Sequence, residues 1–176
     1  MGNAIDVLER GLCEGLADLR ADEQLIGLLA DRDDDAILEA GRRAVRLATA
    51  PLLWTARVGP VAPTAEVAAA LGISRQAVAK AVHAGRLISL PAGKTRLFPL
   101  WQLRLGPEPT IRPEVASIVA AFVSGYPEVA GHVIASWATS PQPELDDKTP
   151  AQWLETGQPL GAVLVAARRA ASALAQ

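Results

Sequence analysis

Ser74, Arg75 and Gln76 stand in a row after Leu71-Gly72-Ile73, and Lys80 and His83 follow Gln76 at four and seven residues. An arginine can place two hydrogen bonds on one guanine, and a glutamine two on one adenine. Lys80 is the type that meets phosphate, and so are Lys94 and Arg96 a little further along. These groups read base edges and hold a phosphodiester backbone; they do not break bonds. The only histidines are His83 and His132, and the only cysteine is Cys13. HExxH, GxSxG, the Rossmann glycine pattern and any Cys/His cluster are missing. A binding protein is therefore expected rather than an enzyme, with no cofactor and no metal. Gly93-Lys94-Thr95 matches the end of a phosphate-binding P-loop, but Ile88 stands where that motif needs its first glycine.

The elements that position these residues follow from spacing. Thr64 is placed to cap a first helix, with Val67, Ala68 and Leu71 on its inner face. Gly72 supplies a tight turn, because glycine takes positive φ without steric cost. Ser74 is placed to cap a second helix, with Val78 and Val82 inward and Ala68 small where the two helices cross. This is the spacing of a helix-turn-helix, whose second helix enters the major groove by its N-terminal end. The plain alternative is a helical hairpin with solvated polar residues. Two β-like runs then flank Pro91-Ala92-Gly93-Lys94: Arg86–Leu90 and Thr95–Pro99. A hairpin after a recognition helix is a wing, and it would bring Lys94 and Arg96 to the phosphate backbone or minor groove.

Charge supports that placement. The 176 residues carry 17 Lys and Arg against 19 Asp and Glu, which by itself leans slightly against nucleic acid. Cut at Gly59-Pro60 and Gly106-Pro107, the chain separates into net charges of −4 for 1–58, +5 for 59–106 and −3 for 107–176. The basic segment is the one with helix-turn-helix spacing. A single cysteine and an N-terminus without a basic region and long apolar run predict a cytoplasmic setting, and no apolar stretch is long enough to span a membrane.

The flanks read as helical, in keeping with 34 alanines. Ile5, Leu8, Leu12, Leu16 and Leu19 form an amphipathic stripe, and Leu25, Ile26, Leu28 and Leu29 a second short apolar segment. Asp33-Asp34-Asp35 marks a helix start, where the dipole favours acids; a cation site is the sharper and less favoured reading. Ala50-Pro51 is expected to close that helix. Further on, Val115, Ile118, Val119 and Phe122 line one helix, and Val129, Val133, Ile134 and Trp137 the next. Thr149-Pro150 opens a short helix that Gly157 ends, and Leu160, Val163, Leu164, Ala167, Ala171 and Leu174 form the last. The expected fold is mainly α: a helical N-terminal unit (1–58) for dimerisation or support, a winged helix-turn-helix with a small β-hairpin (59–106), and a C-terminal helical bundle (107–176).

Two resemblances add to this. Thr64–Phe98 resembles the winged helix-turn-helix of excisionase-like and MerR-like regulators, through T-x-E-V-A, L-G-I-S-R-Q-A-V, G-R-L and a basic hairpin. Trp137, Pro141, Pro143, Leu145, Thr149, Pro150, Trp153, Leu154 and Gly157 resemble the C-terminal toxin-binding domain of Xre/MbcA/ParS-type antitoxins. Two departures stand out: Asp147 occupies a position where glycine is common, and the DNA-binding unit lies mid-chain and winged. The second resemblance implies an antitoxin and autorepressor. It would bind operator DNA as a homodimer and mask a protein toxin, of RES type, with Trp137, Trp153, Arg168 and Arg169 as contact candidates. A helical bundle with both tryptophans in its core is the plainer reading of the same residues. On the first resemblance alone, the protein is a winged-helix regulator or an excisionase-like architectural factor without a toxin. The DNA-contact set in either case is Thr64, Ser74, Arg75, Gln76, Lys80, His83, Lys94 and Arg96. A scaffold without DNA affinity is the third class.

Overall fold

A computed structural model describes residues 4–22, 26–27 and 32–176. Leu25, Leu28 and Leu29 of the second apolar segment lie outside the described residues, as do Met1, Gly2 and Asn3. The chain divides into two compact units, Met1–Val45 and Arg46–Gln176. It is mainly helical with small antiparallel sheets. Among the described residues no helix is long and apolar enough to cross a membrane.

The first unit contains α1 (Ala4–Arg20) and the start of α2 (Asp34–Val58). Leu8 and Leu12 of the α1 stripe are half-buried, whereas Ile5, Leu16 and Leu19 are exposed. Asp34 and Asp35 stand in the first turn of α2, where the helix dipole favours them. The expected stop at Pro51 does not occur, and α2 runs through it to Val58. A proline inside a helix removes one hydrogen bond and crowds the preceding turn. Packing carries the helix past that cost. Val58 is fully buried, Ala50 and Trp54 pack on the main core, and Trp54 Nε1 donates to the Pro91 carbonyl at 2.8 Å.

The second unit is built around β1 (Val61–Pro63), α3 (Thr64–Ala70), α4 (Arg75–His83), β2 (Leu90–Ala92) and β3 (Thr95–Pro99). The strands form an antiparallel sheet in the order β1-β3-β2. β1 is unexpected: its three residues, Val61–Pro63, give no alternation to read. The hairpin is also shorter than its sequence suggests. Leu90 pairs with Leu97, Pro91 with Arg96 and Ala92 with Thr95, so Pro91 and Ala92 belong to the strand and Gly93-Lys94 alone make the turn. Pro91 is tolerated because β2 is an edge strand.

Neighbours along β3 point to opposite faces, as the pleat requires. Phe98, paired with Ala62, enters a core with Val67, Ala68, Val78, Ala81 and Leu87. Leu97, paired with Leu90, enters the larger core formed with the C-terminal helices. The sheet is therefore covered by α3 and α4 on one face and by those helices on the other.

A 3-10 turn (Leu100–Gln102) leads into β4 (Leu103–Arg104), which pairs with β5 (Thr110–Ile111). Gly106-Pro107 lies in the connection between these strands. That connection is fastened by Arg112 N–H to the Gln102 carbonyl at 2.9 Å, Arg112 Nε to the Trp101 carbonyl at 2.8 Å, and an Arg104–Glu114 ion pair at 2.5 Å. The C-terminal helices are α5 (Glu114–Gly125), α6 (Gly131–Ala138), α7 (Pro150–Glu155) and α8 (Leu160–Leu174). Val115, Ile118, Phe122, Val163, Ala167 and Ala171 are fully buried, as their spacing predicts. α5 and α8 touch so closely that a Cβ on Gly125 would lie 2.9 Å from the Ala171 methyl. Thr149 opens α7 with a reciprocal capping box: its Oγ1 accepts from Gln152 N, and Gln152 Oε1 accepts from Thr149 N. The turn before it carries Asp146 and Asp147 at φ +53° and +59°. Asp147 thus takes the left-handed backbone that a glycine would favour, which aspartate tolerates better than most residues.

Candidate nucleic-acid interface

α3 and α4 meet through a turn with a defined hydrogen-bond pattern. Gly72, at φ +62°, donates to the Ala69 carbonyl, and Ile73 N–H donates to the Ala68 carbonyl. This closes α3 in a Schellman motif. Ser74 then caps α4 as its spacing predicts, its side chain accepting from Ala77 N–H at 3.1 Å. Thr64 does not cap α3. The cap position is Pro63, in extended backbone and paired within β1, so the chain leaves the sheet directly into helix and Thr64 is its first residue. No side-chain cap bond forms there.

α4 buries Val78 and Ala81 and exposes Ser74, Arg75, Gln76, Lys80 and His83. Gln76, Lys80 and His83 share one face at the i, i+4 and i+7 positions. Gly85 ends α4 as Gly72 ends α3, with Arg86 N–H donating to the Ala81 carbonyl. The sequence spacing alone did not single out Gly85 for this turn. The hairpin follows at once. Arg96 Nη1 donates to Ser89 Oγ at 2.7 Å, which ties the side chain to the segment entering β2. Thr64, His83 and Arg96 line one cleft of about 360 Å³ with Ala79 and Phe98. Lys94 stands exposed at the turn and shares a different cleft with Arg96. Three expected DNA contacts therefore converge, and Arg96 joins them to the hairpin.

Two supporting residues escaped the sequence reading. Gln102 is completely buried; its Oε1 accepts from Ile88 N–H at 2.7 Å and its Nε2 donates to the Ile88 carbonyl at 2.9 Å. It holds the segment entering the hairpin 14 residues earlier in the chain. Ser89, which holds Arg96, is the other. Both act through contacts distant in sequence, and neither residue type marks such a role.

Three of the four partner candidates make contacts within the fold. Trp137 packs edge-on against Phe122, with ring centroids 5.0 Å apart, and is half-buried against the main core. Trp153 Nε1 donates to the Pro159 carbonyl at 3.0 Å, and Lys148 Nζ lies 5.8 Å from its ring centroid. Arg169 is ion-paired with Glu144, whereas Arg168 is exposed on α8. The Glu144 carboxyl is held below its ordinary pKa by its backbone hydrogen bond first and by Arg169 second. Comparison with protein-family models, curated proteins and solved structures finds no match.

Proposed function

We propose that this protein binds operator DNA through a winged helix-turn-helix in residues 60–100, with α4 as recognition helix and the β2–β3 hairpin as wing. The observation that carries this reading is the Ser74-capped, solvent-facing α4 beside a hairpin that brings Arg96 to His83 and Thr64. Arg75 and Gln76 reach base edges; Lys80, Lys94 and Arg96 meet phosphate. A homodimer sets two recognition helices on half-sites about 34 Å apart.

In the cell the protein works in the cytoplasm as antitoxin and autorepressor of a toxin–antitoxin operon, with the C-terminal helices covering a partner toxin. This part rests on the resemblance of Trp137–Gly157 to Xre/MbcA/ParS-type antitoxins. The engagement of Trp137 with Phe122, Trp153 with Pro159 and Arg169 with Glu144 favours the second reading, a winged-helix regulator or excisionase-like factor without a toxin. Those contacts are made within the fold, while the Arg169 side chain stays largely exposed and the Trp137 indole N–H has no partner among the described residues.

Titration with DNA from upstream of the protein's own gene tests the first part. Affinity falls steeply with salt through counterion release. Arg75→Ala costs about 1–3 kcal/mol and relaxes sequence preference, whereas Lys94→Ala weakens all sequences alike. Absence of salt-dependent binding overturns the DNA reading. Co-purification with the product of an adjacent gene separates antitoxin from stand-alone regulator.

A further inference from the structure

A cleft of about 590 Å³ lies between the β2–β3 hairpin and the helices α5 and α6. Its size is that of a small-molecule site. Buried Leu87, Ile88, Leu90 and Ile134 form its floor. Val82, Val119 and Val129, all half-buried, and Val123, 42% exposed, give it an apolar wall. The ionisable side chains along it are Lys94, Arg96 and His132, and among the described residues no carboxylate lines it. Ser89 takes one of the five N–H donors of Arg96 and fixes the guanidinium at the rim.

We propose that this cleft binds a small amphipathic organic anion, a carboxylate carrying an apolar body. The argument is complementarity on both counts. Four valines and a buried aliphatic floor offer apolar contact that water cannot satisfy. The charge along the cleft is of one sign, and a carboxylate is the group to which a held guanidinium donates best. A neutral apolar ligand leaves the cationic rim unused, and a simple anion leaves the apolar wall unused. The cleft shares Lys94 and Arg96 with the proposed wing, but anion binding is read with no DNA present, so a chain without DNA affinity that binds such an anion keeps the proposal.

Octanoate, 1-octanol and acetate are the probes, titrated into the full chain and followed by methyl NMR at Val119, Val123 and Val129. Octanoate is expected to shift these methyls saturably, with 1-octanol and acetate binding at least about tenfold more weakly. Val123→Glu and Val123→Lys remove the same apolar contact on an exposed helical position and differ in charge. Glu is expected to weaken octanoate about tenfold relative to Lys. Val165→Glu, at an exposed apolar position on α8, is expected to change nothing. Four results overturn the proposal: 1-octanol binding as tightly as octanoate, Val123→Glu and Val123→Lys behaving alike, shifts that spread without saturating, or a self-associated chain that excludes octanoate until Val123→Glu separates it.

Discussion

Gln102 is completely buried and devotes both ends of its amide to the backbone of Ile88. Removing it strands a buried N–H and a buried C=O, each of which carries its desolvation cost unmet. Gln102→Ala is therefore expected to destabilise the second unit by about 3 kcal/mol in urea unfolding. Gln102→Glu does not repair the loss, because one of the two bonds needs an N–H donor and a carboxylate has none. The surface pair Arg169–Glu144 makes a different kind of prediction. The depressed Glu144 pKa means that its contribution to stability is present above the unfolded-state value and is lost as pH falls through the folded value. Arg169→Ala should move the Glu144 titration, followed by NMR, only part of the way up, since the larger cause is the backbone hydrogen bond. At this scale the sequence is legible where a residue acts on its chain neighbours. Ser74 and Thr149 cap as their spacing says. Gln102 and Ser89 are not legible, because their partners are set by folding.

Elements were legible in proportion to the length of their periodic pattern. α5 and α8 bury most of the residues their spacing marks, with Val119, Leu160 and Leu164 half-buried and Leu174 exposed at the end of α8, whereas β1, β4 and β5 span two or three residues and have no period to detect. Local punctuation misled at α2. Pro51 signals a stop, and the anchoring of Trp54 and Val58 overrides it. The hairpin shows the same conflict: Pro91 reads as part of a turn and is a strand residue. Pro51→Ala restores an intrahelical donor and relieves crowding in the preceding turn. It is expected to stabilise the helix by about 1–3 kcal/mol, less whatever freedom the unfolded chain regains. A higher Tm and slower amide exchange in the following turn check it; an unchanged Tm would mean that the helix has already absorbed the defect.

For the whole molecule, the partition of charge and the partition of packing follow different boundaries. The basic segment 59–106 supplies Leu90, Ala92 and Leu97 to the core of the C-terminal helices, and Phe98 to the core beneath α3 and α4. Charge is an additive property of a segment and can be read from sequence; the division of a core between segments cannot. A chain ending at Gly106 loses the helices that cover one face of the sheet. It is expected to unfold without cooperativity and to bind a hydrophobic dye, which calorimetry and fluorescence check. The DNA reading is thus best tested on the full chain. The sheet that divides the two cores also has two outer edges, and each carries proline. Pro63 in β1 offers no N–H to a newcomer. In β2, Pro91 likewise offers none, and its carbonyl is already taken by the Trp54 indole. An exposed edge is the usual route by which unrelated chains zip together into aggregates. Here a proline at each margin denies an added strand an N–H partner, which disfavours edge-to-edge pairing and leaves the hairpin to meet other macromolecules through its side chains.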